Sequence, residues 1–297
     1  MQFSIWGLSG SIATQHEDQM AFATERLWHW IDLFDATCNR FRTESEISTL
    51  NRHQGEAVAI SETLSLALQA ALRSSALTQG LCDPTILPSL LALGYNDDYG
   101  VIADRNDFQT SVVVPKGIQA VHLDEDNQTV RLDAGCQLDL GSSAKALLVD
   151  LVANDVMATG GVVVELGGDV ALRGSGPDGD WVVGISDQLH ISGNEPKIAF
   201  TNGGIATSST GVRTWRAGGE VVNHIIDPRT GNFASSTITT ATVCASDCVS
   251  ANAFATAALL WGEEASYYIA QAGWSGRLVR HDGTVEFVGG WPREEEI

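Results

Sequence analysis

A helix start built almost entirely of alanine is the feature that most constrains what this chain can fold into. Residues 250–261 read SANAFATAALLW, and Ala251, Ala253, Ala255, Ala257 and Ala258 leave a surface so lean that a backbone or a ligand can approach closely. Strand-like residues 237–245 come just before it, so a strand runs into a helix here. Asn252 and Thr256 lie four residues apart and share one helix face. Two oxygen donors so spaced can hold a hard cation such as Mg²⁺, which prefers oxygen ligands and keeps several waters. Close helix packing, with Asn252 as an N-terminal cap, accounts for the same residues.

The rest of the pattern places that junction in an α+β chain. Met20, Thr24, Leu27, Ile31 and Phe34 form a helix stripe within 17–35, after a first strand. Leu64, Leu68, Ala71, Leu72 and Ser75 repeat it within 61–79, and Gly80 ends that helix. Residues 97–118 are polar and irregular and read as a surface excursion. From 119 the texture changes to strands, with a hairpin turning at Asp126-Asn127 and further strands at 161–166, 181–186, 197–202 and 237–245. A last hairpin turns at Asp282-Gly283. No linker interrupts the 297 residues, so the expectation is a single two-lobed domain, 1–297, with mostly local strand pairing.

Composition narrows the function classes. A formal net charge of -20 argues against nucleic-acid or anionic-membrane binding, both of which need basic surface. Five scattered cysteines without a Cys-x-x-Cys pair read as free thiols in a reducing compartment. The N-terminus lacks a basic n-region, and no stretch approaches the ~20 apolar residues of a membrane span. A soluble cytoplasmic protein is expected.

Four more stretches carry candidate chemistry. In DLGSSAKALLVD (139–150) a strand ends at Leu140, and Ser142 and Ser143 open a helix whose amides and dipole suit an anion, with Lys145 adding charge. A serine cap with a solvated lysine explains it as well. In VVVELGGDVALRG (162–174) an apolar strand interrupted by Glu165 and then Gly-Gly-Asp puts a carboxylate beside flexible backbone, although a strand with a bulge reads the same way. GGIATSSTGVR (203–213) sets hydroxyls before Arg213, a set that can bind phosphate or simply form a Ser/Thr loop. NHIIDPRTG (223–231) is turn chemistry from Asp227 to Gly231, preceded by His224, which can act as a base or donor or be structural.

Together these stretches resemble the ApbE-type FAD:protein FMN transferases. The resemblance runs from about residue 30 to 265 through RFRTESEISTLN (40–51), GLCDPTILPSLLALGY (80–95), LDLGSSAKALLVD (138–150), VELGGDV (164–170), GIATSSTGVR (204–213), HIIDPRTG (224–231) and SANAFATA (250–257). It implies a T-fold-related domain of mixed and antiparallel sheets with packed helices. It also implies a Mg²⁺-dependent reaction in which FAD is cleaved at its diphosphate and FMN passes to a threonine or serine hydroxyl of an acceptor protein, releasing AMP. By the same resemblance a carbonyl at Ser143–Ala144, Asn252 and Thr256 hold the metal, and His224 is catalytic with Lys145. Ser143, Lys145, Glu165, Ser208, Arg213 and Asp227 surround the cofactor or hold its loops, while Phe41 contacts the flavin.

The sequence departs from that pattern in places. Asn252 stands where the family usually has Asp, which predicts weaker divalent binding. Gly141-Ser-Ser-Ala-Lys-Ala146 replaces a glycine-richer run, and Ser209 replaces a glycine. An FAD-binding or carrier protein with weak or no catalysis, or an FAD diphosphatase yielding FMN and AMP, fits these departures too. A monomer or homodimer is expected.

Overall fold

Trp6 and Gly7, both at positive φ (53° and 71°), close a two-residue hairpin that starts the main sheet in the computed structural model. The structure describes residues 1–105, 108–186 and 195–291. Mixed helices and antiparallel sheets make up the fold. The chain divides into two compact units, one of residues 1–30, 145–212 and 236–297 and the other of 31–144 and 213–235. The longest helices are α1 (Met20–Cys38), α2 (Glu62–Leu77), α3 (Ala144–Val156) and α4 (Cys248–Trp261).

The first unit is organised on an eight-stranded sheet: Gln2–Ile5 (β1), Leu8–Thr14 (β2), Val162–Leu166 (β3), Asp169–Arg173 (β4), Gly203–Ser209 (β5), Ile238–Ala245 (β6), Ser275–Arg280 (β7) and Val285–Val288 (β8). Spatial neighbours follow chain order from β1 to β8, and every pair is antiparallel. Pairing is nonetheless less local than the sequence suggests, because β2 pairs β3 across residues 15–161. A core of Val170, Leu172, Trp181, Ile198, Ile205 and Cys244 packs on one part of this sheet.

α4 packs across β5 and β6, and all of its residues except half-buried Thr256 are buried. Close packing therefore accounts for the alanines. Asn252 does not cap this helix: Asp247 does, accepting the Ser250 amide at 2.8 Å. The amides of Cys248 and Val249 donate to the two oxygens of Asp150, at 3.1 Å each, and Arg173 pairs with the same carboxylate at 2.9 Å. Burial pushes the Asp150 carboxyl above its usual range, while those amides and Arg173 pull it back.

The second unit holds α2, a three-stranded sheet with Thr129–Leu132 between Ala57–Ala59 and Val121–Asp124, and two small hairpins. Leu90, Leu93, Tyr95, Ile102, Trp215 and Ile226 form one core there. Within 97–118, residues Tyr99–Ile102 are helical and bury Ile102, Phe108 packs on that core, and Val112 to Val114 are exposed. Residues 106–107 lie outside the described residues.

Two expectations need correction. Residues 136–140 are not a strand. Their ladder partner is a side chain: Asn51 accepts the Leu138 amide at 2.7 Å and donates to the Leu138 carbonyl at 2.9 Å. The sequence spacing points Leu147, Leu148, Leu151 and Val152 of α3 inward, whereas the buried stripe is Leu148, Val149, Val152, Ala153 and Val156, with Leu147 and Leu151 half-buried. The Asn51 clasp makes a prediction. Asn51→Ala strands two buried backbone groups and should lower unfolding free energy by about 2–4 kcal/mol, read as a lower urea midpoint at unchanged m-value.

Among the described residues no helix is long and apolar enough to cross a membrane. The five cysteines are free.

Candidate functional site

In the first unit the chemistry gathers around Asp169, at the start of β4. Gly167 and Gly168, at φ 61° and 91°, form a two-residue hairpin turn between β3 and β4 rather than a bulge. The turn delivers Asp169 into the protein, where it is 1% exposed. Lys145 Nζ donates to Asp169 Oδ2 at 2.7 Å, and Asn252 Nδ2 donates to Asp169 Oδ1 at 2.7 Å. Each carboxylate oxygen thus has a donor, and one of the two is cationic.

Asn252 is 6% exposed, and its Oδ1 has no hydrogen-bond partner. A buried amide oxygen left without a donor is uncommon. One helical turn further on, Thr256 Oγ1 sits 3.1 Å from Ser208 Oγ of β5. These neutral oxygens suit a hard cation that takes oxygen ligands. Among the described residues no group of three or more His, Cys, Asp or Glu could hold a metal. Glu165 borders the cluster, accepting the Gly168 amide at 3.1 Å. Burial pushes its carboxyl above the usual range; the Gly168 amide opposes this and the Asp169 charge adds to it.

In the second unit the candidates meet on aromatic rings. Arg40 pairs with Asp139 at 2.5 Å, and its guanidinium lies 4.0 Å from the Phe41 ring centroid and 4.7 Å from that of Tyr95. Arg213 donates to the Tyr95 hydroxyl at 3.3 Å. Burial raises the Tyr95 phenol above its usual value, with the Arg213 charge working against the rise. Phe41 is 37% exposed, so part of its ring is free to stack on a planar ligand. A cavity of about 300 Å³ lies beside it, lined in part by Arg40, Ser48, Asn51 and Gln137.

His224 follows the strand Glu220–Asn223 and is half-buried. The preceding Asn223 accepts the Ile225 amide and donates to the Ala234 carbonyl, each at 3.0 Å, tying this segment to residue 234. Asp227 has a structural task. Its carboxylate receives the Arg229 amide at 2.9 Å and the Arg229 guanidinium at 2.9 and 2.7 Å, and its carbonyl receives the Gly231 amide at 2.8 Å. At the start of α3, Asp139 takes the Gly141 amide, and the Leu140 carbonyl takes those of Ser143 and Ala144. Ser143 Oγ is buried without a partner, so it is not the cap that the Gly-Ser-Ser run suggested.

Lys145, Glu165, Ser208, Asn252 and Thr256 therefore belong to the first unit, and Phe41, Ser143, Ala144, Arg213, His224 and Asp227 to the second. Within the first, Lys145 and Asn252 meet on Asp169, and Ser208 meets Thr256. Within the second, Phe41 and Arg213 both contact Tyr95. Sequence reasoning did not single out Asp169, Arg40, Tyr95 or Asp139 as site residues. Only Asp169 carried a local signal, the carboxylate after the Gly-Gly pair.

The comparison with known proteins decides the family. The sequence model of the ApbE family matches residues 6–276. The chain belongs to the ApbE family. An FAD:protein FMN transferase of Vibrio cholerae serotype O1 is 29% identical over 243 residues, covering 78% of this chain and 71% of that protein. Another of that name, from Treponema pallidum, is 28% identical over 250 residues, covering 76% and 67%. Among solved structures, the ApbE protein of Thermotoga maritima superposes with a TM-score of 0.81 at 22% identity, covering 97% of this chain and 96% of its own. The Pseudomonas stutzeri flavinyl transferase ApbE gives 0.80 at 20% identity, covering 97% and 92%. These likenesses establish an ApbE fold of helices and antiparallel sheets.

Proposed function

We propose that the protein transfers FMN from FAD to a threonine or serine hydroxyl of an acceptor protein, releasing AMP, with Mg²⁺ required. The family match over residues 6–276 carries this reading, since relatives covering three quarters of the chain are FAD:protein FMN transferases.

The transfer needs a base, cationic groups and an oriented flavin. The acceptor oxygen attacks the phosphorus on the FMN side of the diphosphate, a new P–O bond forms, and the bridging bond to the AMP phosphate breaks. His224 takes the proton that the hydroxyl loses. Lys145, held by Asp169, and Arg213 offer positive charge to the diphosphate oxygens. Phe41 supplies an exposed aromatic face for the flavin ring. Asn252 Oδ1 and Thr256 Oγ1 are the oxygens that would hold Mg²⁺, with Ser208 hydrogen-bonded to Thr256. When bound, the ion supplies charge neutralisation to the diphosphate.

Incubation with FAD, Mg²⁺ and candidate acceptor proteins should yield AMP and a protein carrying FMN on a hydroxyl residue, both detected by mass spectrometry in equal amounts. Free FMN with AMP would point to a diphosphatase instead, and FAD bound without AMP formation to a carrier. Either result overturns the transferase.

A further inference from the structure

We infer that Asp169 is a positioning residue: it turns the Asn252 amide so that the nitrogen faces inward and Oδ1 is presented as an uncommitted ligand oxygen, while the compensating negative charge stays on Asp169. The inference rests on reading Asn252 and Thr256 as cation ligands. A carboxylate only accepts hydrogen bonds, so the amide group that faces Asp169 Oδ1 at 2.7 Å must be Nδ2. Oδ1 is then forced to the other side of the amide, where it is buried and has no donor. Asp169 is already committed to two donors inside the protein, Asn252 on Oδ1 and the Lys145 ammonium on Oδ2, each at 2.7 Å. Ligation and charge are thus split between two residues. Because the Asp169 charge is already balanced by Lys145, the pair is hydrogen-bonded without any ion present, so cation binding is predicted to be weak and to depend on Asp169 through orientation rather than contact.

The test compares wild type, Asp169→Asn and the exchange variant D169N/N252D by thermal melting and calorimetric titration with MgCl₂, without flavin or acceptor. An amide at 169 has a donor of its own, which lets Asn252 swing Oδ1 inward and use it up. Asp169→Asn should therefore lose the Mg²⁺-dependent rise in melting temperature. In the exchange variant a carboxylate at 252 accepts from the amide at 169 and leaves its other oxygen, now charged, at the ligand position. The Mg²⁺ response should return, with a Kd about tenfold lower than wild type because the ligand charge rises. Rescue by a swap separates positioning from a merely structural role, which would show two destabilised proteins with unaltered Mg²⁺ response. Should Asp169→Asn fail to fold, the exchange variant against wild type decides alone. An exchange variant that binds Mg²⁺ no better than wild type, or an unchanged response in Asp169→Asn, overturns the inference. Since no flavin is present, absence of FMN transfer in a separate assay would sink the transferase reading and leave this comparison standing.

Discussion

His224→Ala is expected to slow FMN transfer by about 10²- to 10⁴-fold while FAD still binds with near wild-type affinity. The neutral imidazole is the side chain suited to take a hydroxyl proton near neutral pH. Its backbone is steadied by the neighbouring Asn223, which binds the Ile225 amide and the Ala234 carbonyl at 3.0 Å each. Removing the ring beyond Cβ leaves that clasp intact, so the thermal midpoint should move little. Loss of rate would then report chemistry rather than folding. Initial rates of acceptor flavinylation, with FAD affinity from flavin fluorescence, separate the two effects. A rate within tenfold of wild type would remove His224 from the catalytic role, and so would a parallel loss of FAD binding. Asn223→Ala gives the complementary comparison, since it keeps the imidazole and releases its support. It should lower the rate and the melting temperature together.

What the sequence made legible follows from where each signal resides. Helical stripes and turn dipeptides are local, so α1, α2 and the hairpin closed by Asp282-Gly283 lie where the spacing places them. The strand expected at 136–140 fails because Leu138 is paired by the side chain of Asn51, 87 residues away, and no periodicity encodes such a partner. The same holds for the site. Lys145, Asn252 and Thr256 stand out through their helix starts, but Asp169 becomes visible only when β4 places its carboxylate between Lys145 and Asn252. Arg40 and Tyr95 are ordinary in sequence and acquire meaning through the guanidinium lying over two rings. Asp227 shows the converse: its Asp-Pro signature is a turn signal, and its carboxylate is engaged by Arg229.

Gly204→Ala should be among the most damaging single-methyl changes, lowering stability by about 3 kcal/mol or more, because it adds bulk where only backbone stands opposite. A Cβ at this position would lie 2.1 Å from the Cys248 nitrogen and 2.3 Å from the Asp247 carbonyl carbon. Neither atom belongs to a side chain that can rotate away. α4 would have to lift from β5, and its first turn is tied down by Asp150, which holds the Cys248 and Val249 amides at 3.1 Å each. Lifting it would break those bonds or drag Arg173 and Asp150 with it. The displaced turn also carries Asn252, whose hydrogen bond to Asp169 depends on α4 lying flat. Differential scanning calorimetry should show a drop in melting temperature of about 5–10 °C, since a change of this size in a chain this long shifts the midpoint by a few degrees per kcal/mol. The neighbouring Gly203→Ala also meets backbone, the Ala245 carbonyl oxygen at 2.5 Å, and is strained by its φ of 129°. Gly184→Ala has open space around its Cβ and should be nearly silent. A Gly204→Ala protein as stable as the Gly184→Ala control would show that α4 can lift from β5 without loss, and that the lean alanine face is not there for close packing.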